Sequence, residues 1–337
     1  MELPPHLRQA IDRALHGVPQ AELAAAAAAL SERYRADKPA AAPHVASGND
    51  ALAYCAVRLP ATYAAVHASL DAVRHARPDF APRALLDIGA GPGTALWAAS
   101  ALWPALAEAV LVEPSASFRA CGEALASGAP LPRIEWHSAN ILANISADIL
   151  AGIASGASAD PVPGGAPRDL VTASYLLNEL PEAARPRLIE RLWQATAGVL
   201  VIVEPGTPAG FSRIHAARDA LIRHGANVIA PCPHAHACPL VAPDWCHFAA
   251  RVARSRRHRL AKAATVPWED EKFSYVALAR EPAPVSGARI IARPRAGSGR
   301  VTLKLCNPDG AAGERLFSRR DGAAYKRAAR VGWGDVV

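Results

Sequence analysis

A short apolar run ending in three alternating glycines constrains the fold of this chain more than any other feature. Ala84-Leu85-Leu86-Asp87-Ile88 has the composition of a buried strand and runs directly into Gly89-Ala90-Gly91-Pro92-Gly93-Thr94. Glycines at alternate positions let the backbone turn sharply into a helix and let a ligand approach the main chain. Ala95–Leu102 reads as that helix. Ala109-Val110-Leu111-Val112-Glu113 is a second strand ending in an acid, and Arg133-Ile134-Glu135-Trp136 a third. Residues 151–168, rich in Gly, Ala, Ser and Pro, read as a loop. Asp169–Tyr175 follows as a fourth strand, Glu182–Thr196 as a helix, and Gly198–Glu204 as a fifth strand. This alternation predicts a doubly wound, mostly parallel Rossmann-like α/β sheet.

The flanks have a different texture. Residues 1–80 form an N-terminal helical region, because apolar positions recur every three or four residues in Leu7–Leu15, Ala21–Tyr34, Ala51–Leu59 and Thr62–Val73. Asp50 stands where a helix cap is expected. Residues 81–282 form the α/β domain, with a helix at Phe211–His224, a sixth strand at Ala226–Ala230 and strong strand character at Phe273–Leu278. Residues 283–337 form a small basic β extension, with strands at Arg289–Arg293 and Arg300–Leu305.

The glycine loop and its surroundings select a ligand class. The spacing is GxGxG rather than the GxGxxG of dinucleotide enzymes, and Pro92 removes one of the N–H donors that a pyrophosphate would use. Glu113, 26 residues beyond Asp87, can accept hydrogen bonds from both hydroxyls of a ribose. These features favour a nucleoside ligand without phosphate, of which S-adenosylmethionine is the common one. The string LLDIGAGPGT resembles the first motif of class I methyltransferases. That resemblance implies that Asp87, Gly89, Gly91 and Gly93 line the amino-acid end of the cofactor and that Glu113 binds its ribose. Asn140 falls where such enzymes often carry an acid near the adenine. The fourth-motif position, Ser174-Tyr175-Leu176-Leu177-Asn178-Glu179, lacks the Asn-Pro-Pro-Tyr or Asp-Pro-Pro-Tyr pattern of amino-methylating enzymes. No catalytic residue is assigned.

Cysteines supply the second constraint. Cys232, Cys238 and Cys246 crowd into a proline-rich loop, 231–247, and Cys306 lies some sixty residues downstream. Cys55 and Cys121 lie in helical patterns and read as small buried hydrophobes. Clustered cysteines in a reducing compartment are more often metal ligands or redox groups than disulfides. The spacing C-x5-C-x7-C lacks the close CxxC pairs of structural zinc sites. Iron–sulfur clusters also take four thiolates and tolerate a remote fourth. His234, His236 and His247 keep zinc open as an alternative.

The chain carries a formal charge of +7, unevenly spread. From Arg251 to the end there are 19 Lys/Arg against 8 Asp/Glu, which favours a polyanionic partner such as nucleic acid. Arg251, Arg254, Arg256, Arg257, Arg259 and Lys262 are expected along one helix, with Arg293, Arg295, Arg300 and Lys304 on the β extension. No apolar run approaches the ~20 residues of a membrane span, and the N-terminus has neither signal-peptide nor transit composition. A cytoplasmic, monomeric protein is expected.

Taken together, these segments resemble the methyltransferase-like assembly factors of the mitochondrial small ribosomal subunit and their bacterial relatives. The resemblance rests on Arg58-Leu59-Pro60-Ala61-Thr62-Tyr63, the glycine loop, and Cys-Pro-His, Cys-Pro and Asp-Trp-Cys-His-Phe in the cysteine loop. Lys272-Phe273-Ser274-Tyr275, Leu305-Cys306-Asn307-Pro308-Asp309-Gly310 and Trp333-Gly334-Asp335 extend it. It implies a methyltransferase core, a [4Fe–4S] cluster on Cys232, Cys238, Cys246 and Cys306, and action on small-subunit ribosomal RNA. A non-catalytic RNA-binding assembly factor on the same fold is the alternative.

Overall fold

The computed structural model describes residues 1–35, 45, 47–138, 166–284 and 287–337. Four helices come first: α1 (Pro5–Ala14), α2 (Gln20–Arg35), α3 (Gly48–Val57) and α4 (Leu59–Ala76). Asp50 is not the cap of α3. Ser47 caps it, its hydroxyl accepting the Asp50 N–H at 3.1 Å, while the Asp50 carboxylate pairs with Arg33 at 2.6 Å.

The main sheet comprises β1 (Ala84–Ile88), β2 (Glu108–Val112), β3 (Arg133–His137), β4 (Arg168–Ser174), β5 (Thr196–Pro205), β6 (Asn227–Ala230), β7 (Phe248–Ala253) and β8 (Trp268–Ala279). Its order is β3-β2-β1-β4-β5-β8-β6, with β7 also paired to β8. The first five strands run parallel and β8 is antiparallel to β5. This is the class I methyltransferase arrangement, and the order reverses between β1 and β4. The intervening helices are α5 (Thr94–Leu102), α6 (Ala116–Ala126), α7 (Arg185–Gln194) and α8 (Pro208–Arg223).

Strand alternation sorts the core onto two faces. Leu85, Leu170, Val199, Val201 and Val203 pack towards α1, α3, α4 and α5. Leu86, Ile88, Val171, Ala173, Leu200 and Ile202 face the other way, towards α7 and α8. Helix α4 is lined with Ala61, Ala64 and Ala65, small residues that bring it close to α5 and β8. The N-terminal helices thus share one core with the sheet. Each fully buried Leu or Val there contributes about 1.5–3 kcal/mol of transfer free energy.

Beyond β7 the chain differs from the sequence reading. The stretch Arg251–Lys262 was expected as one basic helix, but Phe248–Ala253 alternates buried and exposed residues and pairs with β8 from Phe248↔Phe273 to Ala253↔Trp268. Only α9 (Arg256–Ala261) is helical. The charges are also largely spent within the fold. Arg251 binds Asp270 at 2.7 Å, Arg254 and Lys262 share Glu269, and Arg295 binds Glu314 at 2.6 Å. The extension is a second sheet of β9 (Arg289–Ile290), β10 (Arg295–Gly297), β11 (Arg300–Cys306) and β12 (Ala312–Ser318), followed by α10 (Ala323–Ala328). Of the loop expected at 151–168, residues 151–165 lie outside the described residues, as does the adenine-side Asn140, and Arg168 already opens β4, paired with Thr196.

Candidate functional site

A cavity of about 1130 Å³ opens over the carboxyl ends of β1, β2, β4 and β5. In doubly wound sheets this is where ligands bind, outside the point at which strand order reverses. The glycine loop forms its floor. Gly89, Gly91 and Gly93 have φ of +72°, +54° and +83°, which residues with a Cβ rarely adopt. A Cβ at Gly89 would also stand 2.9 Å from the Leu176 side chain, whereas Gly91 has open space before it. Gly93 terminates the loop as the residue before α5, and the Trp136 ring lies against it, seated where a Cβ at Gly122 of α6 would stand 2.2 Å from the ring.

Glu113 closes the loop against β2. Its carboxylate accepts the Gly91 N–H at 2.9 Å and the Ser115 N–H at 2.8 Å. Burial pushes its pKa up, opposed by those two N–H bonds. Asp87 is buried beneath the loop and accepts the Thr172 hydroxyl at 2.7 Å. Burial pushes its carboxyl up to about 7. The structure therefore brings Gly89, Gly91 and Glu113 to the cavity wall. It places Asp87 and Gly93 immediately behind that wall.

The opposite wall contains residues with no local signature. Tyr34 from α2 and Tyr54 from α3 reach the cavity, with Arg58 stacked 5.4 Å over the Tyr34 ring. Tyr54 meets Phe118 of α6 edge-on at 5.0 Å. Tyr175 lies just past β4 at φ +57°, and its hydroxyl donates to Glu271 of β8 at 3.0 Å. Such a left-handed tyrosine stores about 1–3 kcal/mol of strain, a pattern concentrated at functional sites. Asn178 Oδ1, Ser174 Oγ and Arg58 Nε are buried with no hydrogen-bond partner among the described residues. Glu179 lines the cavity, where the surrounding protein pushes its pKa up and Glu113 and Glu204 act in the same direction.

The second site lies at the open edge where the cysteine loop links β6 to β7. Cys232, Cys238, Cys246 and Cys306 line one small cavity, walled by Phe211, Ile214, Tyr275 and Ile291. Arg218 of α8 holds the loop by donating to the His234 carbonyl at 3.1 Å and the His236 carbonyl at 2.7 Å. Ser274 donates to the Cys246 carbonyl at 2.8 Å, and Trp245 to the Gly206 carbonyl at 3.1 Å. Cys306, the last residue of β11, lies 3.3 Å from His234 Nε2, while His234 Nδ1 is buried with no partner among the described residues. Burial pushes the Cys232 thiol up, Cys246 well up and Cys306 to about 12. Among the described residues no three Cys, His, Asp or Glu side chains are placed to hold one metal ion.

The extension is tied to this loop by more than Cys306. Arg289 Nε donates to the Pro231 carbonyl at 2.9 Å and its Nη1 to the Gly334 carbonyl at 2.7 Å, while Lys304 pairs with Asp244.

The model of the mitochondrial small ribosomal subunit Rsm22 family matches residues 48–337, from the start of α3 through the cysteine loop and the extension. The chain belongs to the Rsm22 family. It is 32% identical over 306 residues to the human protein named ribosome assembly protein METTL17, mitochondrial, covering 85% of this chain and 62% of that protein. It is 24% identical over 337 residues to the Rsm22-cox11 tandem protein 2, mitochondrial, of Schizosaccharomyces pombe, covering 85% and 42% of the two chains. The Rsm22-family chain thus spans less than two thirds of the length of these relatives. Among solved structures, the magnesium protoporphyrin IX methyltransferase of Synechocystis with bound SAM aligns at 13% identity and a TM-score of 0.38, covering 74% of this chain and 91% of that one.

Proposed function

We propose that this chain binds S-adenosylmethionine in the 1130 Å³ cavity and acts on the RNA of the assembling small ribosomal subunit. The observation that carries the reading is the meeting of Gly89, Gly91 and Glu113 at the reversal of strand order, within a chain of the Rsm22 family. Open space before Gly91 leaves room for a ligand against the backbone, and Glu113 offers carboxylate lone pairs to ribose hydroxyls. Asp87 supports the loop from below. Calorimetry with S-adenosylmethionine tests this directly, and no binding at millimolar cofactor would overturn it.

A second reading is a non-catalytic RNA-binding assembly factor on the same fold. It is favoured by the fourth-motif turn, where the Tyr175 hydroxyl is engaged by Glu271 and Leu176 packs against Gly89. Mapping methyl groups on small-subunit ribosomal RNA from a deletion strain separates the two. A lost methyl group supports transfer, and an unchanged map supports the second reading.

We further propose that Cys232, Cys238, Cys246 and Cys306 hold a [4Fe–4S] cluster, with zinc as the alternative. The donor set fits: three thiols of the 231–247 loop and the Cys306 thiol at the end of β11 line one largely apolar hollow. The spacing C-x5-C-x7-C with a remote fourth cysteine lacks the close CxxC pairs of structural zinc sites. Bound there, a cluster would supply four metal–thiolate bonds between the loop and β11. Anaerobically purified chain should carry about four irons; one zinc and no iron would overturn this assignment.

The chain is proposed to work as a monomer. Its named relatives are mitochondrial, whereas its composition favoured the cytoplasm. Cell fractionation with a tagged chain decides between the two.

A further inference from the structure

The cysteines outside the loop also form a site. Cys55 of α3 and Cys121 of α6 are 66 residues apart in sequence, yet their Sγ atoms stand 3.0 Å apart. Both are free thiols. The bonded separation is about 2.04 Å, so an approach of about one ångström would join them. Their environments are unequal: Cys55 is fully buried and Cys121 is partly exposed. The geometry also links them to the cavity. Cys55 follows Tyr54, and Cys121 lies one turn beyond Phe118 on the same face of α6. Tyr54 and Phe118 are the edge-to-face pair that forms part of the cavity wall.

We propose that Cys55 and Cys121 form a reversible disulfide clasp, driven by a peroxide, that fastens α3 to α6 across the wall of the cavity. Cys121 is the attacking thiol, since it is the one a small oxidant can reach, and its pKa is lowered chiefly by the hydrogen bond from Cys55. Its thiolate takes an oxygen from hydrogen peroxide, giving a sulfenic acid and, after protonation, water. The Cys55 thiol then attacks that sulfur, forming the S–S bond and expelling a second water. Two thiols and one peroxide thus become one disulfide and two waters. A thiol reductant reverses the step by exchange. Closing the bond holds Tyr54 and Phe118 together, so a ligand seated in the cavity leaves more slowly. This last consequence rests on the cofactor reading above; bond formation does not.

The test uses the reduced 337-residue chain, treated anaerobically with one equivalent of hydrogen peroxide and quenched in acid with an alkylating agent. Mass spectrometry should find a peptide pair linked through Cys55 and Cys121, absent before treatment and lost on adding dithiothreitol. In Cys55→Ser the reaction should stop at a Cys121 sulfenic acid that dimedone traps, and in Cys121→Ser Cys55 should remain unmodified. Absence of the linked peptide from the wild-type chain overturns the clasp, whether or not either variant folds. Stopped-flow release of S-adenosylmethionine should be about tenfold slower from the oxidised chain, and insensitive to peroxide in Cys121→Ser. Equal release rates with the linked peptide present would overturn the gating role. Failure of both forms to bind the cofactor would instead count against the cofactor reading, with the linked peptide still deciding the clasp.

Discussion

At the scale of single residues, two carboxylates at the glycine loop have separable roles. Glu113 lines the cavity, and Glu113→Ala removes the carboxylate that holds the Gly91 and Ser115 N–H groups together. A hydrogen bond to a charged group is worth about 1.5–3 kcal/mol, so affinity for S-adenosylmethionine should fall about tenfold to a hundredfold by calorimetry. Asp87 acts on stability instead. Its folded pKa is about 7 against 3.8 for the free group. The folded chain therefore holds a proton that the unfolded chain has lost across that window. The associated stability is complete below pH 3.8 and is lost as pH rises through about 7. Asp87→Asn keeps an acceptor for the Thr172 hydroxyl and removes the titration. Denaturant unfolding of this variant should show a flatter fall in stability between these pH values than the parent. Equal slopes would mean that Asp87 does not titrate in this range. Both residues were legible from sequence because strand, glycines and acid follow one another along the chain. Tyr34, Tyr54 and Glu271 were not, because α2 and α3 carry the two tyrosines to the cavity from distant segments and β8 brings Glu271 to the Tyr175 hydroxyl. Nothing in their local spacing distinguishes them from ordinary core residues.

At the scale of elements, the turn after β4 depends on a buried ion pair. Glu204 at the end of β5 accepts the Leu177 N–H at 2.9 Å and the Arg213 Nε–H at 2.7 Å. Replacing Arg213 with alanine leaves the Glu204 charge in the core without that partner. Breaking a buried pair in this way costs about 3–5 kcal/mol, to be read as a loss of unfolding free energy. The cap of α3 is a milder case. Ser47→Ala should cost about 1 kcal/mol, again measured by denaturant unfolding, and a change within experimental error would show that the Asp50–Arg33 pair alone fixes this end. The sequence reading found the parallel strands to within a residue or two, since each is a compact apolar run between loops. It missed β7 and β12 for a common reason. Phe248–Ala253 is half alanine and Ala312–Ser318 carries adjacent charges at Glu314 and Arg315, so neither is a compact apolar run, and their strand character depends on pairing with β8 and β11. Charge clustering around Arg251 suggested a helix. The facing acids Glu269 and Asp270, which make a ribbon the better solution, come from the other strand.

At the scale of the whole molecule, the cysteine loop sits where three bodies meet: α8, the edge of the main sheet, and the second sheet. Arg218, Ser274 and Arg289 each reach a backbone carbonyl of the 231–247 segment from one of these bodies. That meeting orients the extension, and with it the basic surface. Arg251, Arg254, Lys262, Arg295 and Lys304 are neutralised by neighbouring acids. Exposed cations without a carboxylate partner among the described residues instead gather past β12, at Arg319, Arg320, Lys326, Arg327 and Arg330. If ribosomal RNA is the partner, these side chains are the ones free to displace counterions from phosphates. The triple change Lys326→Glu, Arg327→Glu, Arg330→Glu lies on or beside α10, and its exposed positions leave the core of the second sheet intact. Each lost phosphate contact should reduce the salt slope of binding by about 0.7–0.9. The variant should therefore bind a small-subunit RNA fragment more weakly at low salt, with a log–log slope shallower by about 2–3. Because phosphate contacts carry no sequence information, the loss should be similar for unrelated RNAs. An unchanged slope would move the RNA-binding face away from α10, to other exposed cations such as Arg256 and Arg293.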